Sequence, residues 1–132
     1  EYIEIKSVVL CDFKKNNSHH SVKKPEISQM KNYRKGAIFP DGYRKNKNVP
    51  ISERAIKHLE TLADCKKNNY DASLYFIIQR DDCDYFKPSD IDTFYYDALI
   101  KALNEGVNVK AIRVKWLEDG SCLFDKFVPI VI

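Results

Sequence analysis

The feature that most constrains the fold is a short apolar run, Leu74-Tyr75-Phe76-Ile77-Ile78, preceded by Ser73 and closed by Gln79-Arg80 and the acidic loop Asp81-Asp82-Cys83-Asp84. It is too short for a buried helix and is rich in aromatic and β-branched residues. It therefore predicts a strand covered on both faces, in the middle of a sheet. Such a strand needs neighbours to pair with and helices to cover it. Residues 2–10 alternate and then run apolar, which predicts a strand, and Ala37-Ile38-Phe39-Pro40 predicts a short strand pairing with it. Ser52 is an N-cap residue with Glu53 behind it. Ala55, Ile56, Leu59, Leu62 and Ala63 then recur at helical spacing, so a helix is expected over 53–68, ended by Asn68-Asn69. A second helix is expected over about 92–105, with Phe94, Leu99 and Leu103 inside and Gly106 as its stop. Val107–Trp116 is the next strand, Asp119-Gly120 a hairpin turn, and 121–127 an edge strand. Strands alternating with helices place the chain in the α/β class.

The remaining stretches, 12–35 and 41–49, are rich in Lys, Asn, Ser and His and are expected as loops. They hold much of the positive charge. Residues 14–57 carry twelve Lys or Arg against three acids, Glu26, Asp41 and Glu53, whereas the whole chain is only +3. A basic block of this kind fits a polyanionic partner or a solvated loop, and both can hold together. The 132 residues suit a single domain. No apolar run is long enough to span a membrane, and no signal peptide is recognisable. Cys11, Cys65, Cys83 and Cys122 form no Cys-x-x-Cys pair, which argues against a zinc ribbon or a disulfide framework. They read as free thiols of an intracellular protein, expected in the cytoplasm, with the nucleus as the alternative. With four Gly, no phosphate-cradling loop and no nucleophile motif, a metabolic α/β enzyme is the poorest reading.

Glu4 and Lys6 stand two residues apart on the first strand, so they share a face with Tyr2, while Ile3 and Ile5 take the other. On a solvated strand the pair would mean nothing. Together they also hold what a Mg²⁺-dependent phosphodiesterase needs. A carboxylate binds a hard cation through oxygen, and a lysine neutralises developing charge or orients the attacking water.

The pair alone does not choose between these: it needs a second carboxylate nearby and company elsewhere in the chain, and downstream blocks supply the company. Glu4-Ile5-Lys6-Ser7-Val8-Val9-Leu10, Phe39-Pro40-Asp41, Ser52-Glu53-Arg54-Ala55-Ile56-Lys57-His58-Leu59, Leu74 to Arg80, Phe86-x-Pro88 with Ile91-Asp92, Tyr95, Leu99 and Ala102, Gly106-Val107-x-Val109-x-Ala111 and Val128-Pro129-Ile130 follow one another in order. In this ordered set the chain resembles the sugar fermentation stimulation protein A family, whose members look like restriction endonucleases. The resemblance implies a restriction-endonuclease-like mixed β-sheet flanked by helices, spanning residues 1–132. Residues 12–35 and 42–49 depart from the family pattern as inserted basic loops. The family's N-terminal OB-like domain has no counterpart in the sequence, and the strand bearing the motif's first aspartate is expected upstream of Glu1.

Carried over residue by residue, the resemblance implies Glu4 as a ligand for Mg²⁺, in a site incomplete without the upstream aspartate, and Lys6 as the catalytic lysine. Arg54 and His58, four apart and so on one helix face, are placed against phosphate together with Lys57. Gln79, at the end of the central strand, is placed at the site. The plain alternatives are a helix surface for Arg54 and His58, a polar strand end for Gln79 and a turn for Asp41. Two functions remain open: a DNA-binding protein with a Mg²⁺-dependent nuclease site, or a DNA-binding regulatory protein that keeps the fold without the chemistry.

Overall fold

The computed structural model describes residues 1–15, 21–22, 33–42 and 46–132. Among them are strands β1 (Tyr2–Val8), β2 (Leu10–Lys15), β3 (Ser21–Val22) and β4 (Tyr33–Phe39), helix α1 (Glu53–Lys67), strands β5 (Ala72–Ile78) and β6 (Tyr85–Pro88), helix α2 (Thr93–Asn104), and strands β7 (Asn108–Trp116) and β8 (Cys122–Val128). They make a mixed α/β fold of two sheets, ordered β1-β5-β7-β8 and β3-β2-β4-β6.

The apolar run becomes β5, an interior strand paired parallel to β1 and to β7. Leu74, Phe76 and Ile78 are buried, but Tyr75 and Ile77 on the opposite face are half-buried, so the expected cover is complete on one side only. Residue 3 lies beside Ser73 and residue 4 beside Leu74. Glu4, Lys6 and Val8 therefore share the covered face with Leu74, Phe76 and Ile78. Ile3 and Ile5 point away and are 51% and 61% exposed. Alternation correctly separates the two faces of β1, yet it is the face bearing the charged pair that meets the helix.

Helix α1 begins as the sequence requires, with the Ser52 hydroxyl accepting from Ala55 N–H at 3.1 Å. Ala55, Leu59, Leu62 and Ala63 are buried against the sheet and α2. Asn68 caps the helix and Asn69 turns the chain out at φ 64°. Helix α2 is capped by Asp92 and buries Tyr95, Leu99 and Ala102. The sequence placed Phe94 inside, but it is 41% exposed and Tyr95 takes the inner position. Between β7 and β8, Gly120 adopts φ +85° in the expected turn, which favours a residue with no side chain.

The second sheet corrects the loop expected over 12–35. The chain breaks at Val9 and Leu10–Lys15 continues as β2, against which Tyr33–Phe39 pairs antiparallel, with Leu10 opposite Ile38. The short return strand thus pairs with β2 rather than with β1. Its other neighbour is β6, a parallel partner absent from the sequence reading. Gly36 in β4 is required there, because a Cβ would lie 2.5 Å from the Tyr85 ring. The sheets and helices meet in an aromatic core. Phe76 stacks on Phe86 at 4.1 Å between ring centroids, and Phe39 packs on Phe76 at 5.6 Å and on Tyr95 at 5.3 Å. No helix among the described residues is long and apolar enough to cross a membrane.

Candidate functional site

Strand parity puts Glu4 and Lys6 on the helix side of β1, and helical period puts His58 at the margin of the buried stripe, one turn from Ala55 and Leu62. The two elements face each other, and the three side chains meet. Lys6 Nζ lies 2.7 Å from His58 Nδ1 and 3.1 Å from Glu4 Oε1. His58 Nδ1 lies 3.0 Å from the same Glu4 oxygen. The Lys6 side chain is 14% exposed and those of Glu4 and His58 are 29% exposed, so the group is screened but open to solvent. Beside it is a cavity of about 120 Å³ lined by Tyr2, Ile3, Glu4, His58, Thr61 and Leu62.

The Tyr95 ring on α2 is wholly buried, and its hydroxyl has no hydrogen-bond partner among the described residues. Burial pushes this hydroxyl far above the usual tyrosine range, and the negative charges of Glu4 and then Asp92 push it in the same direction. The expectation for the second helix put Phe94 rather than Tyr95 in the inner position, and nothing in the sequence signals this hydroxyl.

The other sequence candidates are placed differently. Arg54 and Lys57 are exposed on α1, outside the three-residue contact. Gln79 is not gathered to Glu4: its Oε1 accepts from Trp116 Nε1 at 3.0 Å, at the far ends of β5 and β7. Asp41 is exposed, in keeping with a turn. His19, His20, Lys23, Lys24, Lys31, Arg44 and Lys45 lie outside the described residues, so much of the basic block is not placed. Among the described residues, no group of three or more His, Cys, Asp or Glu side chains gathers to hold a metal. Glu4 and His58 supply two such donors.

A second charged cluster lies at the start of the second sheet. Asp82 accepts from Arg80 Nε at 3.0 Å and Nη2 at 2.9 Å, and from Lys35 Nζ at 2.7 Å. The Arg80 guanidinium, with Lys35 adding to it, holds the Asp82 carboxyl well below the usual carboxylate range, and burial opposes them. All these groups are engaged with one another, which makes the cluster a brace between β4 and the loop after β5.

Fold and site together define a mixed α/β domain in which a carboxylate and a lysine on an end strand of the sheet meet a histidine on the helix packed over it. Residues 22–120 match the family model described as "SfsA: Sugar fermentation stimulation protein RE domain". The chain belongs to the sugar fermentation stimulation protein family. It is 30% identical over 115 residues to a sugar fermentation stimulation protein homolog of Rhizobium rhizogenes, covering 86% of this chain and 35% of that protein. It is 32% identical over 123 residues to the homolog of Clostridium acetobutylicum, covering 92% and 50%. The chain thus spans about a third to a half of the length of these curated relatives. Its fold matches that of Pyrococcus furiosus SfsA, solved in complex with Ca²⁺, with a TM-score of 0.69 at 21% identity over 98% of this chain and 44% of the other.

Proposed function

We propose that this chain binds DNA and carries a Mg²⁺-dependent phosphodiesterase site centred on Glu4 and Lys6. The observation that carries this reading is the placement of the Lys6 ammonium 3.1 Å from the Glu4 carboxylate, on a half-buried strand face beside an open cavity. A hard cation fits the Glu4 carboxylate oxygen, and His58 Nδ1, a nitrogen donor better suited to a transition ion, stands 3.0 Å from it. When bound, the cation would stabilise the charge on a phosphorane-like transition state and acidify an attacking water. Glu4 would hold that cation. Lys6 would donate to a non-bridging phosphate oxygen or orient the water. Arg54 and Lys57, exposed on the helix that bears His58, would meet backbone phosphates and set the register of the strand. The Ca²⁺ bound by the Pyrococcus protein of the same fold supports a cation site in this architecture.

The full chain, incubated with plasmid and single-stranded DNA in Mg²⁺ or Mn²⁺, is expected to cleave, and Lys6→Ala to abolish cleavage. Binding should weaken steeply with salt, because phosphate contacts supply most of the affinity. DNA left intact by the wild type, with Lys6→Ala indistinguishable from it, rejects the enzyme. A second reading, a DNA-binding regulatory protein without chemistry, is favoured by the two-donor site. Salt-dependent binding without cleavage, insensitive to Glu4→Ala, would select it.

A further inference from the structure

The distances within the site carry more than the pairing of Glu4 with Lys6. An ammonium has three donors and no acceptor. We therefore assign His58 Nδ1, 2.7 Å from Lys6 Nζ, as the acceptor of this contact, which puts the ring hydrogen on Nε2. Glu4 Oε1, 3.1 Å from the same nitrogen, presents lone pairs as well. These two acceptors stand 3.0 Å from one another, a separation at which they repel unless a positive group lies against both. Lys6 is that group. Two lone pairs converging on one positive point make a cation seat. Two ligands about 2.1 Å from an ion and at right angles are about 3.0 Å apart, which is the separation found here.

We propose that the Lys6 ammonium fills the seat of a divalent transition ion held by Glu4 and His58, and that the ion binds by displacing it. This rests on the cation-dependent reading of the site but not on nucleic-acid cleavage. Lys6 is then an internal competitor: it neutralises Glu4 while the seat lacks its ion, and once displaced it stays tethered two residues away, with its charge available to a substrate anion. The imidazole donor favours first-row transition ions over Mg²⁺ and Ca²⁺, which prefer oxygen. The adjoining cavity of about 120 Å³ has room for roughly four waters, enough for the ion to keep part of its hydration shell.

The test is Mn²⁺ binding to the full chain, read as loss of the free-ion electron paramagnetic resonance signal, without DNA. Lys6→Met is expected to bind Mn²⁺ roughly tenfold more tightly than wild type, since the competing charge is gone. His58→Phe is expected to bind Mn²⁺ about tenfold more weakly and to change Mg²⁺ binding far less. Unchanged or weaker Mn²⁺ binding in Lys6→Met overturns the proposal, and so does unchanged binding in His58→Phe. A measurement on the wild type alone guards against variants that fold poorly. Spin-echo modulation of bound Mn²⁺ should show a coupled ¹⁴N nucleus, and a spectrum with no nitrogen coupling overturns the assignment of His58. Tighter binding in Lys6→Met alongside uncut DNA would uphold this inference and reject the phosphodiesterase. Cation-dependent cleavage with Mn²⁺ affinity unchanged in Lys6→Met would do the reverse.

Discussion

The Lys6 ammonium and the His58 imidazole, 52 residues apart in the chain, stand 2.7 Å apart across the contact between β1 and α1. His58 is thereby tied to the carboxylate–lysine pair rather than standing on an outer helix surface. If the proposed phosphodiesterase site is correct, replacing it with Ala is expected to slow cation-dependent cleavage roughly 10- to 100-fold, the usual cost of disturbing a group at a metal site. Single-turnover rates on plasmid DNA measure this. A wild-type rate in His58→Ala removes the residue from the site.

Asp92 ties α2 to the segment that leads into α1. It is wholly buried, its Oδ1 accepts from Tyr95 N–H at 3.0 Å, and its Oδ2 accepts from Ile51 N–H at 2.8 Å. Asp92→Ala removes an N-cap and leaves a partly buried amide without a partner, so a loss of about 2–4 kcal/mol is expected. Asp92→Asn keeps an acceptor and should lose less. Urea denaturation decides it, and equal stability of Asp92→Ala and wild type would show that these bonds contribute nothing.

The Asp82 brace sets a pH dependence. Its carboxyl is held below the ordinary value of 3.8 by Arg80 first and Lys35 after it, so the folded state binds its proton less readily than the unfolded state. Its contribution is full above that ordinary value and is lost as pH falls below it towards the lowered one. Because the side chain is 35% exposed, the contribution is small, about 1 kcal/mol. Asp82→Asn should therefore be less stable than wild type at neutral pH, with the difference shrinking between about pH 4 and about pH 2 in urea midpoints. A difference that stays constant across that range would contradict the brace.

Two cysteines differ sharply in environment. Cys83 is fully buried and burial pushes its thiol up to about 12, whereas Cys122 is exposed on β8. Iodoacetamide applied to the native chain should label Cys122 well before Cys83, because only the thiolate attacks. Peptide mass spectrometry follows both, and equal labelling rates would contradict the packing of Cys83.

Signals that act over a few residues were legible in the sequence. Ser52, the Asn68-Asn69 exit, the Asp119-Gly120 turn and the run that became β5 all carry their own local chemistry. What required the fold was long-range. Tyr85–Pro88 has no alternating pattern, and its strand exists because residues 36–39 lie beside it in register. Phe94 and Tyr95 are neighbouring aromatics, and it is Tyr95 that packs on Phe39 in the interior. Period two separates Glu4 and Lys6 from Ile3 and Ile5 but does not say which pair the helix will cover. The role expected for His58, a phosphate contact, likewise could not foresee its contact with Lys6, which depends on where α1 lands. Gln79 is similar: its place at a strand end does not foretell that its side chain accepts from Trp116.

The central claim is that Glu4 and Lys6 form a cation-dependent phosphodiesterase site. Its most direct test is the rate of DNA cleavage by the full chain in Mg²⁺ and in Mn²⁺, with Lys6→Ala and Glu4→Ala as the paired variants. The expected result is cleavage by the wild type that stops on chelation and falls at least about a hundredfold in each variant, the scale of a lost electrostatic stabiliser. Cleavage that persists undiminished in both variants, or intact DNA under every cation, would contradict it.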